Sequence, residues 1–169
     1  LFLMFKPTMA PILAPIYAVL QGAFLGAISA IFELQYPGIV ISAVMATAGA
    51  FLGILLLYRL GVLRATPLFK KVIIISTAGI MLVYLLSFLL GFFGVEMSYL
   101  HSGGMIGIGV SLFIVVIASL NLVLDFDFIE KGSAAKMPLY MEWYASFGLL
   151  VTILWLYIEM LRLLAKMRD

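Results

Sequence analysis

GMIGIGVSLFIVVIASLNLVL, residues Gly104–Leu124, runs without a single charged side chain, and Asp125 follows at once. About twenty apolar residues in helical conformation, at about 1.5 Å rise each, cross a hydrocarbon core of about 30 Å. Four further stretches have the same length and character: Ala10–Phe32, Gly38–Tyr58, Val72–Phe93 and Trp143–Leu164. Apolar residues fall on every side of them, as helices facing lipid require. The linkers, Glu33–Pro37, Arg59–Lys71, Gly94–Gly103 and Asp125–Glu142, are too short for a second domain. Leu1–Phe5 (LFLMF) is apolar up to Lys6, like the last turn of a helix reaching water. The expected fold is therefore all-α: a polytopic membrane bundle of five complete transmembrane helices plus the end of another. Residues 1–169 form a single domain in this reading, N-terminally incomplete because Leu1 is no initiator.

Composition agrees. Hydrophobic residues are 66% of the chain and charged residues 11%, with a mean hydropathy of +1.26. A soluble domain carries about 25% charged residues. The lipid bilayer is thus the first partner. A formal charge of +2, with no basic stripe among aromatics, gives no footprint for nucleic acid. With no cysteine there is no disulfide and no thiolate metal site.

Charge placement orients the bundle. Lys6, the Arg59/Arg64/Lys70/Lys71 group and the Lys131/Lys136 pair fall on one side, and the other two connections hold no Lys or Arg. The positive-inside rule puts the basic side in the cytoplasm. Arg162, Lys166 and Arg168 break that rule, since a crossing by Trp143–Leu164 would leave them outside. Either the C-terminus is an exception or the segment re-enters; a true span is the expectation.

Small residues recur every four positions at Ala18, Gly22, Gly26 and Ala30, and at Ser42, Ala46 and Ala50 beside Gly49 and Gly53. Such stripes let helices approach closely, so Gly22, Gly26, Gly49 and Gly53 are read as packing positions. The chemistry is sought among ionisable residues within the spans, where charge is costly. Asn121 and Asp125 are four apart and share a helix face. Thr152 and Glu159 are seven apart and nearly superimpose on the helical wheel, Glu159 can pair with Arg162, and Glu142 opens the last span. Two readings stand side by side. In one, Asp125 and Glu142 anchor the interface and Glu159–Arg162 is a neutral pair. In the other, Asp125 faces the last span and shares a proton or a cation with polar groups there.

Enzymatic readings find no support. His101 is the only histidine, Ser102-Gly103-Gly104 is no nucleophile elbow, and the glycine-rich run Gly103–Gly109 follows no strand. No enzyme and no resident cofactor are expected.

Pro15–Ser29 (PIYAVLQGAFLGAIS) resembles the "YAxxEGxxLGxIS" helix of the Bax-inhibitor (YccA-like) family, also called transmembrane Bax-inhibitor-motif proteins. The resemblance continues through Pro37–Val40 with Ala43 and Thr47, Leu124–Glu130, Glu142–Tyr144 and Trp155–Leu164, essentially the whole chain, and is closest to a bacterial branch. It implies a seven-helix fold around a central last helix, of which this chain lacks the first helix and most of the second. It also implies a pH-sensitive leak or channel for cations, calcium above all, in a bacterial cytoplasmic (inner) membrane, governed by two aspartates on the last two helices. Asp125 matches the first, with the family's Asp-x-x-x-Ile spacing to Ile129, and would touch transient calcium. The second position falls on Thr152, and the glutamate of the "EG" helix is Gln21. Glu159 or Glu142 is the conjectured replacement, so the expected ion path comprises Asp125, Asn121, Thr152, Glu159 and Glu142. The alternative implied by some relatives is a non-conducting protein that modulates a membrane-bound protease or other membrane partners.

Overall fold

The computed structural model describes residues 2–98 and 103–168. Six α-helices account for most of them: α1 (Phe2–Phe5), α2 (Ala10–Gln35), α3 (Ile39–Arg59), α4 (Pro67–Phe92), α5 (Met105–Ala134) and α6 (Leu139–Arg168). A 3-10 turn, Pro7–Met9, joins α1 to α2. The last five helices, α2 extended by that turn, are long and apolar enough to cross a membrane. The all-α bundle of five spans is thus observed.

Helix ends follow local chemistry. Thr66 caps α4 by accepting from the Phe69 amide at 3.2 Å, and Pro67 takes the first turn, where its missing N–H costs nothing. The helix therefore starts five residues before Val72. Glu33 reaches across the α2–α3 turn, its two oxygens accepting from Gly38 N at 2.6 Å and Val40 N at 3.1 Å. That satisfies amides at the start of α3 that have no intrahelical partner. Gly38 itself sits at φ 82°, the left-handed region where a side chain would strain the backbone. α5 runs ten residues beyond Leu124, so it is about 45 Å long and overshoots a hydrocarbon core by roughly 15 Å.

The antiparallel sequence of helices gives the bundle two ends. The lower end holds Lys6 and the α3–α4 and α5–α6 connections; the upper end holds the α2–α3 turn and the start of α5. α6 settles the uncertainty over the last span. Its N-terminal end lies at the lower α5–α6 turn, while Arg168 donates to Pro37 O at 2.8 Å and Lys166 donates to Ser111 Oγ at 2.8 Å. It therefore traverses the bundle from end to end.

α6 is also the hub, packing against α2, α3 and α5. Leu156 and Leu161 are fully buried on it, opposite Ala118 and Leu122 of α5 and Ile39 and Ala43 of α3. α2, α3 and α4 instead turn large apolar side chains such as Val19, Met45 and Ile75 outward. Lipid tails are as apolar as leucine, so packing and interhelical hydrogen bonds hold such helices together, each bond contributing about 0.6 kcal/mol. Ser29–Tyr157 at 2.7 Å is one, between α2 and α6. Gly22, Gly26, Gly49 and Gly53 lie elsewhere: a Cβ added at any of them would meet nothing within 4 Å. On α3 it is the neighbouring Ala46 and Ala50 that pack against the core.

Candidate functional site at the α5–α6 interface

Asp125 sits in α5, within a turn of the fully buried Leu122 and Val123. Its carboxyl points at α6, where the Thr152 hydroxyl interacts with it and Gly148 leaves room beside it. A Cβ at Gly148 would stand 3.8 Å from Asp125 Oδ1. Oδ2 is buried and accepts no hydrogen bond, the only such side-chain oxygen or nitrogen among the described residues. A buried oxygen of this kind is expensive unless something else satisfies it, such as a proton, a water or a passing cation. Thr152 has a single proton to give. It lies 3.1 Å from Gly148 O, so the hydroxyl has both that carbonyl and the carboxylate as acceptors.

Asn121 is turned elsewhere. Four residues are about 40° more than one full helical turn, and that offset sends Asn121 to α4. Its Nδ2 donates to Thr77 Oγ1 at 2.9 Å and to Ile117 O at 2.9 Å. Asn121 thus fastens α4 to α5, and Asp125 faces α6.

Glu159 lies about 10 Å further up α6 than Thr152. It is 1% exposed, and its Oε1 accepts from Tyr84 OH at 2.6 Å, Trp155 Nε1 at 3.2 Å and Arg162 Nη1 at 3.4 Å. The guanidinium of Arg162 stacks over the Tyr84 ring, 5.3 Å from its centroid. The i, i+3 pair read from the sequence is present, and α4 adds a hydroxyl to it. Glu142 is apart from both groups: in the first turn of α6 it lines a small hollow under the α5–α6 turn with Lys136, Ser133 and Ser146. The five candidate residues therefore divide among four places, and only Asp125 and Thr152 meet.

Sequence reasoning passed over Thr77 and Tyr84. Their seven-residue spacing puts both hydroxyls on one face of α4, the same signal that singled out Thr152 and Glu159. Asp127 receives Lys70 at 2.7 Å and Lys131 at 3.0 Å, while Glu130 accepts from the Tyr58 hydroxyl. These contacts tie the overshooting end of α5 to α4 and α3. His101 and Ser102 lie outside the described residues.

The whole chain, residues 1–169, matches the family model described as Bax inhibitor 1 like. This protein belongs to the Bax inhibitor 1 like family. It is an integral membrane protein of that family, with five apolar helices able to span a bilayer. Comparison with curated proteins and with solved structures yields no match. Membership sharpens one contrast within the site: Asp125 faces a hydroxyl on α6, and among the described residues no three His, Cys, Asp or Glu side chains gather to hold a metal ion.

Proposed function

We propose that this member of the Bax inhibitor 1 like family is a non-enzymatic, pH-sensitive cation leak, calcium being the principal cargo, in the cytoplasmic membrane of a bacterium. The observation that carries the reading is the buried, unpartnered Oδ2 of Asp125 at the seam between α5 and α6. As an anion, Asp125 accepts the Thr152 hydroxyl and holds the two helices together. Protonated, it gains a donor and accepts more weakly, and Thr152 falls back on Gly148 O. The seam is then looser at acidic pH. Calcium takes six to eight oxygen ligands at rest. One carboxylate, one hydroxyl and one carbonyl suit an ion in passage rather than a resident one, so calcium is written here as cargo.

The test is calcium entry into vesicles carrying the full-length protein, measured at acidic and neutral pH. Flux rises on acidification in the wild type, and Asp125→Asn, a neutral mimic of the protonated side chain, conducts equally at both. No flux at either pH, or an Asp125→Asn variant that follows the wild-type profile, ends the proposal.

A second reading is favoured by one observation: the side chain opposite Asp125 is Thr152, not a second carboxylate. In this reading the protein does not conduct and acts through membrane partners, such as a membrane-bound protease. Co-purification of a stable protease partner, together with absence of flux, selects it.

A further inference from the structure

Asp125, Phe126, Asp127 and Glu130 of α5 send their side chains to three different helices. Taking Asp125 as the direction of α6, at about 100° per residue, Phe126 lies at about 100°, Glu130 at about 140° and Asp127 at about 200°. The Phe126 ring meets those of Phe51 and Tyr58 on α3, with centroids 5.6 and 5.7 Å away, and Glu130 accepts from the same Tyr58. Asp127 receives Lys70 of α4 at 2.7 Å. Asn121, about 40° from Asp125 in the opposite sense, donates to Thr77 of that same α4. α5 is thus ringed by α6, α3 and α4, and it grasps α4 from both flanks. Lys70 and Thr77 are seven apart on one face of α4, and Asp127 and Asn121 are six apart on the antiparallel α5, so the two contacts stack about 10 Å apart. Rotating α5 either way would draw one of them off α4.

We propose that the Lys70–Asp127 and Thr77–Asn121 contacts form a rotational lock on α5 that holds Asp125 against Thr152 and Gly148 of α6. Lys70 and Asp127 are positioning residues in it, acting on Asp125 through the rigid helix that carries both aspartates. Apolar contacts tolerate small rotations, whereas an ion pair and a hydrogen bond each favour one geometry. A fully exposed ion pair would be too weak for this, contributing about 0–1 kcal/mol. Asp127 is only 14% exposed, and its Oδ2 takes two ammonium groups, Lys70 and Lys131. Their roles differ. Lys131 belongs to α5 itself, so it compensates the charge of Asp127 without tying α5 to a neighbour. The bearing of the lock on ion flux rests on the reading of Asp125 given above; the placement of Asp125 does not.

The experiment reads placement alone, in the full-length protein in vesicles. A Cβ on Gly148 would stand 3.8 Å from Asp125 Oδ1, a gap that two cysteine sulfurs bridge, and the chain has no native thiol. Asp125→Cys with Gly148→Cys is oxidised by copper phenanthroline, and disulfide formation is followed as loss of maleimide labelling. In that background Lys70→Gln and Thr77→Val are each expected to slow the reaction about threefold, and together about tenfold. Lys70→Gln leaves Asp127 its bond to Lys131, so no buried charge is stranded. Lys70→Arg keeps the original rate, and so does the exchange of Lys70→Asp with Asp127→Lys, which restores the pair in reverse. Lys131→Gln also leaves the rate unchanged. Unaltered rates in Lys70→Gln and Thr77→Val, an equal fall in Lys131→Gln, or an exchange variant as slow as Lys70→Gln overturns the proposal. The expected rates in a protein that shows no calcium flux support the lock and count only against the conduction reading.

Discussion

The Tyr84 hydroxyl donates to Glu159 Oε1 at 2.6 Å, linking α4 to the central helix α6. α4 packs mainly on α5, and this bond, with the Arg162 guanidinium over the Tyr84 ring, ties it directly to the hub. Tyr84→Phe deletes the tie with almost no change of shape, leaving Trp155 and Arg162 on the carboxylate. The expected loss of stability is about 0.6–1.7 kcal/mol, the range of interhelical hydrogen bonds in membranes. Unfolding in mixed micelles measures it. The same loss from Tyr84→Phe in a Glu159→Gln background would show that the hydroxyl acts through some other partner.

Thr152→Asp places a second carboxyl opposite Asp125. Two adjacent carboxylates cannot both ionise cheaply, so they titrate as a pair sharing one proton. The variant's calcium flux is expected to depend more steeply on pH than that of the wild type, in the same vesicle assay. An unchanged slope means that residue 152 does not sense the charge on Asp125.

Lys136 occupies a left-handed backbone conformation, φ 49°, just past the end of α5. Its amide donates to Ser133 O at 3.1 Å and that of Met137 to Gly132 O at 3.1 Å, the closing bonds of a helix that glycine ordinarily ends. Lys136→Gly relieves the Cβ contact and is expected to stabilise the protein by about 1 kcal/mol. A destabilised variant would mean that the Lys136 side chain contributes more than its backbone costs.

Because the chain has no cysteine, single introduced thiols report topology cleanly. Ser133→Cys at the lower end and Met167→Cys at the upper end are expected to react with a membrane-impermeant maleimide from opposite sides of sealed vesicles. Labelling of both from one side would mean that α6 does not cross.

Much of the architecture was legible in residue order. A run such as Gly104–Leu124 has one stable form in a bilayer, a helix, because nothing else satisfies its backbone there. Lys6, Asp125 and Glu142 mark where water begins only approximately, since α5 stays helical to Ala134. That extension is held by Lys70, Lys131 and Tyr58, contacts made by three different helices. Within one helix, spacing also reads true: Glu159 does meet Arg162.

The residues alone thus determined the class, the helix count and the in-helix pairs, since hydropathy and the helical repeat are properties of short segments. Which face of each helix meets which neighbour was decided only by the tertiary structure. Asn121 and Asp125, close on the helical wheel, part company because α4 and α6 lie on different sides of α5. Glu159 finds Tyr84 across 75 residues of chain. In lipid, apolar faces have no strong reason to choose one another, so a few polar contacts and the fit of side chains set the arrangement. Both depend on all the helices at once.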